Sequence, residues 1–196
     1  MGTRHLTIVV DRGEYRISQY GQFDGYPEGA GLVVYDFITK EYDPDLFQRA
    51  LSKTVELNHT EVESLYEGIA DRDFKKAYPT LHRDTGAGVL SFIQEKADDD
   101  STLTIPISPS LAFAGRSLFC EWAYLLDLDN RVLEVYSGFN KEPLDPTDRF
   151  VGMTDASSEY HPIRKLTSYG FDELSQITER EFTENLEALN RAYRRS

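Results

Sequence analysis

The stretch LFCEWAYLLDLDNRVLEVYSGF, residues 118–139, constrains the fold more than any other part of the chain. Trp, Tyr, Val and Leu dominate two apolar runs, and such residues favour a pleated backbone packed against neighbours. Asp129 and Asn130 separate the runs and supply the short polar side chains that a tight turn uses. The pattern predicts a central β-hairpin over 119–136, with Trp122, Tyr124 and Leu126 in the core.

A second hairpin is written at the N-terminus. Leu6, Ile8 and Val10 alternate with His5, Thr7 and Val9 before the turn DRGE, after which Tyr15, Ile17 and Gln19 resume the period of two. With Arg12 and Gly13 as a two-residue loop, antiparallel pairing sets Val10 against Tyr15, Ile8 against Ile17, Leu6 against Gln19 and His5 against Tyr20. That register brings Arg4 and His5 to the rim that holds Gln19, Tyr20 and the rest of the glycine-rich stretch QYGQFDGYPEGAG, residues 19–31.

The intervening and following segments read as helices. LVVYDFITKEY is a short one, and DPDLFQRALSKTVEL a second, with Asp43 as N-cap and Pro44 at the first helical position. TEVESLYEGI carries Thr60 and Glu63 at capping-box spacing, and DTGAGVLSFIQEKA supplies a further apolar face. ADDDS is an acidic loop before the strand-like TLTIPI. At the end, Thr178 and Glu181 form a second capping box ahead of Phe182, Leu186, Leu189 and Tyr193, and Arg191, Arg194 and Arg195 stand where a helix C-terminus favours cations. The expected fold class is α+β: an antiparallel sheet built from the two hairpins, flanked by four or more helices, with Ile8, Ile17, Phe182 and Leu186 joining the core, in the manner of a layered sandwich. With 196 residues and 40% apolar content, one domain over 1–196 is expected.

Charge and composition narrow the function classes. A formal charge of −13 opposes the counterion release that drives phosphate-backbone binding, so a nucleic-acid partner is not expected. No apolar run reaches membrane-spanning length, and MGTRHLTIVV lacks a secretion signal, so no membrane association and a cytoplasmic location are expected. Leu6 stands where myristoylation wants Ser or Thr. A single cysteine, Cys120, excludes an internal disulfide framework, and the histidines His5, His59, His82 and His161 show no paired metal-ligand spacing. No metal and no cofactor are expected.

Taken together, GTRHL, QYGQFDGYPEGAG, LHRDTGA and SLFCEWAYLLDLDNRVLEVYSGF resemble an uncharacterised family found in fungi, bacteria and phages. Its signature is GTRHL, then QYGQ(F/W)DGYPEG, then a downstream SLFCEWAY strand. The resemblance spans most of residues 2–139 and leaves the C-terminal helix least covered. It carries no established activity, but it implies that TRH, the Gln and Asp loop and the FCEW strand belong to one design.

The candidate ligand-binding set is Arg4, His5, Gln19, Tyr20, Gln22, Asp24, Tyr26 and Glu121, with the catalytic residues unassigned. Arg pairs with carboxylate or phosphate, glutamines orient a polar ligand, and His exchanges protons near neutral pH. The competing reading is structural: Asp24 closes an Asx-turn, Arg4 neutralises it, and Gln19 satisfies backbone groups at the hairpin mouth. Gly25, Gly29 and Gly31 fit neither G-x-G-x-x-G nor a Walker pattern, and Glu28 repels an anion; close chain packing explains Gly29 and Gly31 better. DTGA, at 84–87, lacks the second copy and the setting of an aspartic protease, so Asp84 or Thr85 reads as a helix N-cap. Cys120 with His5 or His82 and Asp24 or Glu121 supplies the residue types of a cysteine hydrolase without its local signature, and beside Phe119 and Trp122 it reads as core. An N-terminal-nucleophile hydrolase shares the layered shape, but Gly2 offers no nucleophile and Thr3 is exposed only by a further cleavage. Two classes survive: a polar small-ligand or catalytic pocket at the rim of the N-terminal hairpin, and an acidic interaction protein that engages a cellular or host partner without catalysis.

Overall fold

The computed structural model describes residues 2–98, 103–153 and 158–194. Arg195 and part of the ADDDS loop lie outside the described residues. Strands β1 (His5–Asp11) and β2 (Glu14–Gly21) form the N-terminal hairpin, and β5 (Trp122–Asp127) and β6 (Val132–Ser137) the central one. Both belong to one five-stranded sheet of order β2-β1-β5-β6-β7, where β7 spans Arg164–Gly170. The fold class is α+β.

The sheet is mixed where a wholly antiparallel one was expected. The hairpins meet through β1 and β5, which run parallel with His5 beside Trp122 and Thr7 beside Tyr124. Parallel neighbours need a long crossover. The chain between them supplies it as α1 (Leu32–Asp36), α2 (Pro44–Leu51), α3 (His59–Tyr66), α4 (Asp71–Ala77) and α5 (Val89–Glu95). Within it, β3 (Thr54–Glu56) pairs in parallel with β4 (Ile105–Ile107) as a separate two-stranded sheet. Two further helices close the chain, α6 (Phe171–Leu174) and α7 (Glu179–Tyr193).

Every residue of β1 is buried, because both faces of the sheet are covered. Val9, Ile17, Tyr124 and Leu126 pack against Val34, Phe37, Phe47, Leu90, Ile93, Phe182 and Leu186 from the helices. Leu6, Ile8, Val10, Ala123 and Leu125 pack on the other face against Ala114, Cys120, Phe150 and Ile163 from irregular connections. Each such aliphatic or aromatic side chain contributes on the order of 1.5–3 kcal/mol when removed from water. The second layer is fastened by charge as well as contact. Arg149 pairs with Asp127 and with Glu134, and Tyr136 donates its hydroxyl hydrogen to Glu134 at 2.5 Å.

Several boundaries differ from the sequence expectation. The hairpin register holds at Val10 opposite Tyr15, but a bulge leaves Arg16 unpaired, so Val9 faces Ile17, Thr7 faces Gln19, Leu6 faces Tyr20 and His5 faces Gly21. One extra residue moves every later side chain of β2 to the opposite face. Asp43 caps α2 through the Leu46 amide as expected, yet the helix ends at Leu51 and its tail becomes β3. The N-cap of α3 is Asn58, reciprocally bonded with Glu61, rather than Thr60 with Glu63. Asn58 lies at the chain's exit from β3, where the first orphan amides need an acceptor. The Thr178–Glu181 box on α7 is present as read. Leu189, expected on the buried stripe, is 40% exposed.

Candidate functional site

The glycine-rich stretch forms one wall of a pocket. After β2 the chain turns at Asp24, whose φ of 54° lies in the left-handed region that Asp tolerates better than most residues. Three backbone hydrogen bonds hold the turn: the Gly25 amide donates to the Thr3 carbonyl at 2.9 Å, the Ala30 amide to the Asp24 carbonyl at 2.7 Å, and the Gln22 amide to the Arg83 carbonyl at 3.0 Å. Tyr124, fully buried on β5, donates its hydroxyl hydrogen to the Gly25 carbonyl at 3.0 Å. A Cβ on Gly29 would collide with the Asp24 carbonyl oxygen, and one on Gly31 would stand 3.0 Å from the Tyr124 hydroxyl. The chain then winds through a π-helical turn, Pro27–Gly31, into α1. Close approach therefore explains these glycines.

The opposite wall is the segment 83–88. Gly86 takes a φ of +49°, and Gly86–Gly88 forms a 3-10 turn ahead of α5. Neither Asp84 nor Thr85 caps a helix with its side chain, which corrects the N-cap expectation. The Thr85 hydroxyl instead donates to the Pro79 carbonyl at 2.6 Å. His82, fully buried below this wall, accepts at Nδ1 from the Asp84 amide and so carries its proton on Nε2, 3.2 Å from Asp71 Oδ1.

Between the walls lies a cavity of about 380 Å³ with His5 on its floor. The imidazole fits because three glycines surround it. A Cβ on Gly86 would lie 2.7 Å from Nε2, one on Gly25 would lie 2.8 Å from His5 Cβ, and one on Gly21 would overlap the ring. His5 is 2% exposed, yet among the described residues neither ring nitrogen has a hydrogen-bond partner. The Thr3 carbonyl approaches the ring and favours its charged form without reaching hydrogen-bond geometry. Burial lowers the His5 pKa to about 4, outweighing the opposing pull of the Asp24 carboxylate and the Thr3 carbonyl. The ring is neutral at pH 7 and presents one donor and one acceptor.

Of the eight residues singled out in the sequence, His5 and Asp24 line the pocket, and Tyr26 donates to Asp24 Oδ1 at 3.3 Å from its outer edge. The bulge in β2 turns Tyr20 to the other face, where its ring meets Phe113 edge-on at 5.1 Å and its hydroxyl donates to Gln22 Oε1 at 2.6 Å. Gln19 points toward the helices and donates to the His82 and Tyr20 carbonyls, each at 3.2 Å, tying the far wall to the sheet. Arg4 lays its guanidinium over the Phe119 ring at 4.9 Å, and its amide donates to Glu121 Oε1 at 3.3 Å. No Arg4–Asp24 ion pair forms among the described residues. Convergence of Arg4, Gln19, Asp24 and Glu121 on one cavity, expected from an unbroken register, does not occur.

The remaining lining was not legible as a site. It includes Phe23, Glu28, Val33 and Asp36 from the near wall and Arg83 and Asp84 from the far one. In the sequence Glu28 reads only as an obstacle to anions, and nothing local in RDTGAG reveals that this segment faces the N-terminal loop. Cys120 is fully buried, burial pushes its thiol pKa well up, and its sulfur contacts the Trp122 carbonyl at 3.5 Å, so it has the character of a core residue. No family model matches the chain, and the searches of curated proteins and of solved structures likewise found no match. Among the described residues no helix is long and apolar enough to cross a membrane.

Proposed function

We propose that the protein binds a small polar ligand in the pocket at the rim of the N-terminal hairpin, with His5 as its deepest contact. One observation carries this reading: a histidine almost wholly removed from water keeps both ring nitrogens unpartnered beside an open cavity. A buried polar group without a partner costs free energy, and a ligand that supplies the missing bonds recovers it. The cavity volume falls at the lower end of the range for small-molecule sites. Binding is favoured over proton-transfer catalysis, since a base that titrates near pH 4 is a poor proton acceptor at pH 7.

The reading assumes a cytoplasmic protein, in keeping with a single, unpaired and buried cysteine. The likeness to the fungal, bacterial and phage family adds a grouping to it, without a chemistry. A thermal-shift screen against metabolite mixtures that span cationic, neutral and anionic members tests it, because a ligand of the native state raises the apparent melting temperature. Asp24→Asn keeps the left-handed turn and most of the volume; we expect it to reduce the shift given by any hit while costing under about 2 kcal/mol of stability. A hit whose shift survives both Asp24→Asn and His5→Asn binds elsewhere, and the assignment of this pocket then fails.

The second reading, an acidic surface that engages a protein partner, is favoured by one fact: Arg4, Gln19 and Glu121 make their contacts within the fold rather than in the pocket, Arg4 through its backbone amide and a ring contact. A screen without any hit favours it.

A further inference from the structure

We propose that the pocket selects an organic cation, a small molecule with an ammonium or guanidinium head, a hydrogen-bonding group and a short apolar body. The proposal rests on the ligand-pocket reading above and adds the chemical class. Four carboxylates line the cavity, Asp24, Glu28, Asp36 and Asp84, against one cation, Arg83. Two of the four are already answered. Asp36 pairs with Lys40 at 2.7 Å, and Asp84 with Arg83 at 3.8 Å. Among the described residues Asp24 and Glu28 have no cationic partner, the Asp24 carboxylate accepts only from the Tyr26 hydroxyl, and Glu28 makes no side-chain hydrogen bond. Both stand on the near wall, on either side of the glycine turn that packs over His5.

The buried, unpartnered imidazole bordering the cavity makes this more than an acidic patch, because its neutral donor and acceptor are answered by no group among the described residues. Apolar side chains join the lining, among them Phe23, 48% exposed, and Val33, 43% exposed. A ring face within reach of a cation adds attraction, and exposed apolar area rewards a hydrocarbon body. A bare metal ion is a worse fit, since among the described residues no group of three His, Cys, Asp or Glu side chains is placed to hold one.

The test titrates four probes into the full chain: tyramine, its neutral analogue 4-ethylphenol, its anionic analogue 4-hydroxyphenylacetate, and agmatine. Nuclear magnetic resonance follows the amides of Gly25, Gly29 and Gly86 and the His5 ring. Tyramine and agmatine are expected to move these resonances saturably, and added salt to weaken them. Glu28→Gln, an exposed substitution without a packing role, should weaken both about fivefold while the spectrum outside the pocket stays unchanged. Should 4-ethylphenol or 4-hydroxyphenylacetate act as strongly as tyramine, the cation assignment is overturned while a ligand pocket stands. Silence from all four probes also overturns it, and a neutral or anionic hit in the mixture screen would then keep the pocket itself. Binding of tyramine that ignores both Glu28→Gln and salt overturns the role given to the carboxylates.

Discussion

Gly21 faces His5 across the antiparallel β1–β2 pair, and the imidazole fills the space where any larger residue at 21 would place its Cβ. The relationship exists only because the bulge at Arg16 shifts the register, carrying Tyr20 away and setting glycine opposite histidine. Gly21 has no left-handed φ, so Gly21→Ala tests the space alone. We expect about 1–3 kcal/mol of destabilisation from overpacking, seen as a lower denaturant midpoint at unchanged slope. A variant as stable as the parent would mean that the ring moves aside freely, and the fixed position of His5 would be lost as a premise.

The titration of His5 gives stability a pH dependence of known sign. Burial sets the folded pKa to about 4, whereas the free side chain titrates near 6.5. Between these values the unfolded chain binds more protons than the folded one, so stability is full above about pH 6.5 and falls as the pH drops toward 4. The effect of the whole interval is on the order of 3 kcal/mol. Carboxylates titrate at its lower end, so the informative window is pH 6.5 to 5, read as the difference between the native chain and His5→Asn. Equal slopes for the two proteins in that window would show that the imidazole titrates normally.

Local chemistry was legible in the sequence, and long-range packing was not. Asp43 with Pro44 and Thr178 with Glu181 announce helix starts because a cap acts within one turn. The two hairpins are visible because alternation and turn residues lie within a short stretch of chain. The bulge leaves no such mark, since Arg16 carries neither glycine nor any unusual pattern, and it decided which half of the expected site faces the pocket. Strand β7 reads RKLTSYG, polar and half-exposed at a sheet edge, so no apolar period betrays it. Helix α4 buries only Phe74. The far wall of the pocket is held by Gln19 and by the Gln22–Arg83 backbone bond, contacts between distant parts of the chain that no single segment encodes.

Tyr124 connects the core to the glycine-rich wall through one hydroxyl. Tyr124→Phe removes its bond to the Gly25 carbonyl, and that carbonyl loses a buried partner. A loss of about 1–2 kcal/mol is expected, with faster amide exchange across residues 24–31. Stability that falls while exchange in that segment stays slow would assign the hydroxyl to the core instead of the wall.

Arg149 holds the second layer against the sheet from a half-buried position, its side chain 29% exposed. Asp127 lies 3% exposed and Glu134 9% at their side chains, so both carboxylates depend on that guanidinium. Burial acts to raise the Asp127 pKa, but the hydrogen bonds from Asn130 and Arg149 prevail and lower it. A lowered acid contributes stability above its unfolded value near 3.8 and loses it as the pH falls through the folded one. Arg149→Met keeps the apolar stem and removes the charge. Near pH 7 the loss should reach about 2–4 kcal/mol, less than for a fully buried pair because Lys165 still lies 3.5 Å from Glu134. Acid should narrow the gap, since protonation relieves the stranded carboxylates in the variant. Adding Glu134→Gln to Arg149→Met should restore part of the stability at pH 7, as one of the two buried charges is gone. If the single variant loses no more at pH 7 than at pH 4, the attachment of this layer is a matter of packing by Phe150 and Ile163 alone.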